Sequence, residues 1–163
     1  MTNLRFACVV THHRNSINFA TATFFLICGL LASANAAAPY IVVLGIAQDG
    51  GYPHAGCQKE CCAPLFESRK TGAMVSCLAI VDPETHQRWI LDCTPNFPQQ
   101  LALLDKLEPK VHGGPLVDGI FLTHAHIGHY SGLIQLGREV IGAKSVPVHV
   151  MPRMKEFLKT NGR

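Results

Sequence analysis

Charge is scarce in this 163-residue chain: 15% of its residues are charged, against 48% hydrophobic and 7% aromatic. Beyond the first segment, an excess of either sign is missing too. Residues 1–36 hold Arg5 and Arg14 and no acid, and from residue 37 onward 12 Lys and Arg face 11 Asp and Glu, a net of +1. So neutral a body has no field to attract a polyanion, which excludes nucleic acid as the expected partner. Gly50-Gly51 has no following Lys-Ser or Lys-Thr and opens no helix, so a phosphate-cradling loop is excluded. Ser76, Ser131 and Cys93 lack the paired base that nucleophilic catalysis requires. Repeats and low-complexity tracts are absent from 37–163. What is left is one domain of ordinary size.

The first segment reads as an address. Arg5, His12, His13 and Arg14 form a basic, acid-free start, followed by the apolar run Phe19–Leu31 and then Ala34-Asn35-Ala36, a small-x-small cleavage site. A single membrane anchor is the competing reading, but the run is shorter than the roughly 20 apolar residues a span needs. Residues 1–36 are therefore expected to be a signal peptide, and the mature protein to be secreted or periplasmic, with no stable membrane anchor. Cleavage leaves Cys57, Cys61, Cys62, Cys77 and Cys93, an odd number in an oxidising compartment. At least one is then free, metal-bound or paired outside the chain.

The body alternates strand and helix patterns. Tyr40–Leu44 is a continuous β-branched apolar run that reads as a buried strand. Ser76–Val81 and Trp89–Cys93 flank the short polar turn 82–88, which predicts a hairpin. Pro98 opens a helix whose buried stripe is Leu101, Leu103, Leu104 and Leu107. A strand over Gly119–Thr123 follows, then a helix over Tyr130–Ile141, a strand over Val146–Val150 and a last helix over Met151–Lys159. The pattern is α/β.

His124, His126 and His129 stand where the fourth strand runs out and a helix begins. On extended chain, residues two apart point to one side, so His124 and His126 aim at a common point, and His129 can swing back toward them. Neutral imidazoles at this spacing suit Zn²⁺ or Fe²⁺. Strand ends are also where α/β folds gather their sites.

The stretch Phe121-Leu-Thr-His-Ala-His-Ile-Gly-His-Tyr-Ser-Gly132 resembles the signature of the metallo-β-lactamase fold superfamily, His-x-His-x-Asp-His before a small residue and a helix. Leu91-Asp-Cys93 resembles that superfamily's earlier Asp-bearing strand end. Leu44-Gly-Ile-Ala-Gln-Asp-Gly-Gly-Tyr-Pro-His-Ala-Gly-Cys57, with Cys61 and Cys62, is similar to the coenzyme PQQ synthesis protein B branch, in which a Gly-rich loop leads into a cysteine cluster holding structural zinc. The resemblance covers about 40–160. It implies an αββα sandwich of which 37–163 form roughly the first half, the later ligands lying in a second half.

Carried over by position, His124 and His126 become ligands of a first metal and His129 of a second. Gly128 stands where the superfamily has Asp, which removes a ligand and a negative charge. One metal, or a second held by other residues, is the expectation: Zn²⁺, one or two, with Fe²⁺ as the alternative. The implied activity is metal-dependent hydrolysis of a small-molecule ester, amide, thioester or phosphoester by metal-bound water. A non-catalytic metal-binding domain or inactive fragment is one alternative. Iron-dependent oxygen chemistry, as in PQQ synthesis, is another. A homo-oligomer is left open.

His54, Cys57, Cys61 and Cys62 place four ligand-capable side chains in nine residues, for structural zinc or for a disulfide from Cys57. Cys77 and Cys93 read as buried small hydrophobes. Two acids sit near the histidines. Asp92 is expected to accept hydrogen bonds from the metal-binding loop. Asp49 either closes an Asx turn over Gly50-Gly51 or reaches the histidines from the same sheet end.

Overall fold

A computed structural model describes residues 37–68, 72–110 and 113–161. The leader read over 1–36, the Arg69-Lys70 pair and His112 lie outside the described residues. The elements run β1 (Tyr40–Gly45), α1 (Ala63–Ser68), β2 (Cys77–Asp82), β3 (Gln87–Leu91), α2 (Phe97–Leu107), β4 (Gly119–Phe121), α3 (Ile127–Tyr130), a 3₁₀ turn (Ser131–Leu136), β5 (Val148–His149) and α4 (Pro152–Asn161). Among the described residues no helix is long and apolar enough to cross a membrane.

The five strands lie in sequence order, β1-β2-β3-β4-β5. β1, β2 and β3 pair antiparallel, whereas β4 and β5 join parallel. The β2–β3 hairpin turns on Asp82, whose Oδ1 accepts the Glu84 and Thr85 amides at 3.0 and 3.3 Å. The short side chain mimics a backbone turn and lets His86 take a positive φ. The parallel β3–β4 step needs a crossover, and α2 supplies it.

One face of this sheet builds the core. β2 alternates, burying Cys77, Ala79 and Val81 on the side where Leu44, Ile90 and Ile120 meet Phe97, Leu101 and Leu104 of α2 and Met154 of α4. Pro98 sits in the first turn of α2, where its missing N–H costs nothing. Strand β1 corrects the reading of a fully buried run. Leu44 is 1% exposed, but Ile41 and Val43 are 63% and 58% exposed. β1 pairs only with β2, and among the described residues its outer face has no covering layer, so period-2 geometry turns alternate apolar residues outward.

Two polar groups organise the interior. Arg88 on β3 is buried, with Nη1 donating to Asp105 Oδ1 at 2.6 Å and to the Glu108 carbonyl at 2.8 Å, and Nη2 to the Leu116 carbonyl at 2.6 Å. Its guanidinium ties β3 to the end of α2 and to the segment before β4. Gln100, fully buried on α2, donates to the Val75 carbonyl at 2.7 Å while Asn96 accepts the Val75 amide at 3.0 Å. Val75 is bridged in turn to Ala47. The loop leaving β1 is thereby fixed to α2.

The helix read over Tyr130–Ile141 is also corrected. α-Helical geometry starts earlier, at Ile127, and gives way to a 3₁₀ turn at Ser131. The Gly132 amide donates to the Cys93 carbonyl at 2.9 Å instead of to its own helix. Position 132 must be glycine for this, because a Cβ there would overlap the Thr94 carbonyl oxygen.

Candidate metal centre

The site lies where β3 and β4 end side by side. After Leu91 the chain turns at Asp92, which adopts a positive φ of 69°. The turn puts its carboxylate under the histidine loop. Asp92 Oδ1 accepts the Thr123 amide at 2.8 Å, the Thr123 hydroxyl is 2.9 Å from each carboxylate oxygen, and His129 Nδ1 is 2.8 Å from Oδ2. The Cys93 amide donates to the His129 carbonyl at 2.8 Å, so the strand end and α3 clamp one another.

These contacts set the tautomer of two rings. An ionised carboxylate only accepts, so His129 Nδ1 carries the proton it donates to Asp92. The Thr123 hydroxyl has one proton and spends it on the same carboxylate. Thr123 Oγ1 is also 2.8 Å from His124 Nδ1, so that nitrogen donates to it. In the neutral form of each ring the remaining proton is then on Nδ1, and Nε2 is the nitrogen available to a metal. Thr123 was passed over in the sequence, where it reads as the last residue of an apolar strand; its place next to His124 was the only signal.

The three imidazoles gather. The His124 ring centroid is 4.6 Å from that of His126 and 4.2 Å from that of His129. His129 is largely covered, at 14% side-chain exposure, whereas His126 is 72% exposed and can turn. Their donor atoms close less tightly than the thiols do: among the described residues, the group of three with every donor atom within 4.8 Å is Cys57, Cys61 and Cys62. The donor chemistry of the histidine cluster fits a divalent cation. His149 stands elsewhere, stacked on Phe121 at 4.6 Å.

Asp49 approaches from the loop after β1. Its Oδ2 is 3.8 Å from His126 Nδ1. The Asx-turn reading is corrected: the Gly50 amide donates to Gln48 Oε1 at 3.1 Å and the Gly51 amide to the Gln48 carbonyl at 2.9 Å, so Gln48 closes that turn. Gly128 packs directly on this loop. A Cβ at 128 would overlap the carbonyl oxygen, Cα and Cβ of Asp49.

The cysteine cluster forms with three members. The Cys61 and Cys62 sulfurs are 3.8 Å apart, and Tyr52 holds the loop by donating to the Cys61 carbonyl at 2.7 Å. His54 does not join as a ligand: its Nδ1 faces the Ala55 carbonyl at 3.0 Å, and its backbone amide points to Cys62 Sγ at 3.5 Å. All five cysteines of the body are thiols. The Lys59 amide and then Cys62 hold the Cys57 thiol below its ordinary value. For Cys62 the His54 amide acts downward, but burial and the two neighbouring thiols outweigh it and push the group up. Burial pushes Cys77 and Cys93 up to about 12.

Reduced, chelator-treated protein at pH 7.5 should therefore be alkylated by iodoacetamide first at Cys57, while Cys77 and Cys93 stay unlabelled until it unfolds. Peptide mass spectrometry reads the order, and early labelling of Cys93 would contradict its placement.

Known proteins resemble this chain in sequence and in fold. Residues 87–163 match the profile of the beta-lactamase superfamily domain. Coenzyme PQQ synthesis protein B of Klebsiella pneumoniae strain 342 is 31% identical over 99 residues, 60% of this chain and 32% of that protein. Its counterpart in Acinetobacter baylyi is 29% identical over 99 residues, 59% of this chain and 33% of the other. Among solved structures, zinc-bound PqqB from Methylobacterium extorquens aligns with a TM-score of 0.59 at 23% identity, over 74% of this chain and 40% of that one. A diphosphatase of the PhnP family aligns with a TM-score of 0.53 at 21% identity, over 75% and 45%.

The chain has a metallo-β-lactamase fold. Within that fold its sequence is similar to PQQ synthesis protein B. It spans about a third of the length of the curated relatives it matches.

Proposed function

We propose that His124, His126 and His129, braced by Asp92, belong to the zinc centre of a hydrolase acting on a small-molecule ester, amide, thioester or phosphoester. The observation that carries this reading is the hydrogen-bond chain from Asp92 to His129, and through Thr123 to His124, which engages Nδ1 of both rings and so makes Nε2 their available ligand atom. A divalent cation held there would acidify water and polarise a carbonyl or phosphoryl oxygen. The chain's own work is to orient the imidazoles and to fix their tautomers, with the buried Asp92 carboxylate behind them to offset the cation. The zinc in the related PqqB structure supports a metal, and the likeness to a diphosphatase supports hydrolysis. The relatives' role in PQQ synthesis favours a second reading, in which the same ligands hold iron for oxygen chemistry. Cys57, Cys61 and Cys62 fit a separate, structural zinc. Export through residues 1–36 completes the proposal.

The test is metal content and turnover of the full chain beside a His124→Ala/His126→Ala variant, after equilibration with zinc or iron. The wild type should retain one more equivalent of metal than the variant. Any hydrolysis of nitrophenyl phosphate or acetate should disappear with it. Equal metal content in the two would overturn the histidine centre, and retention of iron in preference to zinc would favour the second reading.

A further inference from the structure

We propose that Asp49, from the loop after β1, is a carboxylate ligand of the histidine centre, standing where a side chain on residue 128 would otherwise reach. The proposal rests on reading the cluster as a metal centre. Its basis is a coincidence of position. A Cβ built on Gly128 falls on the backbone and Cβ of Asp49, so the Asp49 side chain leaves from nearly the point at which an aspartate at 128 would begin. The glycine is what admits the loop: with any side chain at 128 the two segments cannot be this close.

The carboxylate is aimed and is free of local duty. Gln48 takes the two glycine amides that Asp49 would have capped. Asp49 Oδ2 instead lies 3.8 Å from His126 Nδ1. That distance is too long for a hydrogen bond. It is close to the roughly 3.4 Å that separates two donors when each is about 2.1 Å from one tetrahedral zinc. Asp49 is about a third exposed and His126 mostly so, which leaves both able to close on an ion.

The loop is held in this place by parts of the fold far from the histidines. The Ala47 amide donates to the Met74 carbonyl at 2.9 Å, and the Ser76 amide to the Ala47 carbonyl at 2.8 Å. Between them Val75 is gripped by Asn96, just before α2, and by Gln100 of α2. A ligand on a loop so anchored arrives with little ordering left to do. Gly128 therefore marks a carboxylate that has moved from one segment to another, and the charge opposite the cation is kept.

Cobalt(II) titration of the full chain tests this without reference to turnover. Thiolate-to-cobalt charge transfer in the near ultraviolet reports the cysteine cluster, and visible ligand-field bands without it report a nitrogen and oxygen site. Asp49→Asn should weaken the second site at least about tenfold and leave the thiolate band's titration unchanged. Gly128→Ala removes no donor, yet should weaken the same site, because its Cβ must drive the Asp49 segment away. The double variant should be no weaker than the worse of the two, since both act through one carboxylate. Apo unfolding of Asp49→Asn should match wild type, which separates a lost ligand from a lost fold.

An unchanged visible titration in Asp49→Asn, with loss in His124→Ala/His126→Ala, would overturn the proposal and leave the histidine centre standing. A wild type that shows no nitrogen and oxygen site would overturn both.

Discussion

Replacing Asp92 by Asn should cost the histidine centre about 10–100-fold in zinc affinity while the apo fold loses comparatively little. Asparagine tolerates the positive φ of 69° at this position, so the backbone is not strained. The hydrogen bonds cannot all survive. Asp92 accepts from the Thr123 amide, the Thr123 hydroxyl and His129 Nδ1, and an amide offers one accepting oxygen where the carboxylate has two. If the amide nitrogen faces His129, the ring must accept at Nδ1 and move its proton to Nε2, the atom a metal needs. If the amide turns the other way, the Thr123 amide loses its acceptor and the His124 ring loses its brace.

Asp92→Ala tests the structural share separately. It strains the backbone by about 1–2 kcal/mol and takes the acceptor from three part-buried donors, so the apo protein should lose roughly 3 kcal/mol or more. Chemical unfolding of the metal-free protein and calorimetric zinc titration separate the two effects. Wild-type zinc affinity in Asp92→Asn would show that the carboxylate does not set the tautomers.

Arg88→Met should be the most damaging substitution away from the site. The methionine keeps much of the volume but abandons Asp105 and the carbonyls of Glu108 and Leu116. Removing one partner from such a buried set leaves acceptors without donors, at a cost of roughly 3 kcal/mol. For a domain of this size that lowers the melting temperature by roughly 10 °C. Asp105→Asn should cost far less, because Asp105 is 38% exposed and water replaces what it loses. Equal losses in the two variants would place the energy in the ion pair and not in the carbonyl contacts.

Local signals carried most of the framework. The hairpin, α2 with Pro98 in its first turn, and the strand running into the histidines were legible because hydrophobic period, turn residues and proline position all act over a few residues. The gathering of the three histidines was legible for the same reason, their spacing being local. Arg88 and Gln100 were invisible as interior residues, since a polar side chain is buried only when partners distant in sequence receive it. The outward face of β1 and the 3₁₀ break after α3 were missed on similar grounds. One follows from which neighbours cover a strand, the other from a glycine amide claimed by Cys93.

By itself, then, the sequence determined that an α/β chain presents three histidines at a strand end and three clustered cysteines in a loop. Only the tertiary structure decided how those groups are arranged. It brought Asp92 beneath the rings from 37 residues before His129, fixing which ring nitrogen it engages. It laid Asp49 against Gly128 and within 3.8 Å of His126, the placement on which the proposed carboxylate ligand rests. The physical reason is range: periodicity and turn chemistry are local, whereas proton position and ligand geometry depend on contacts between segments that only folding brings together.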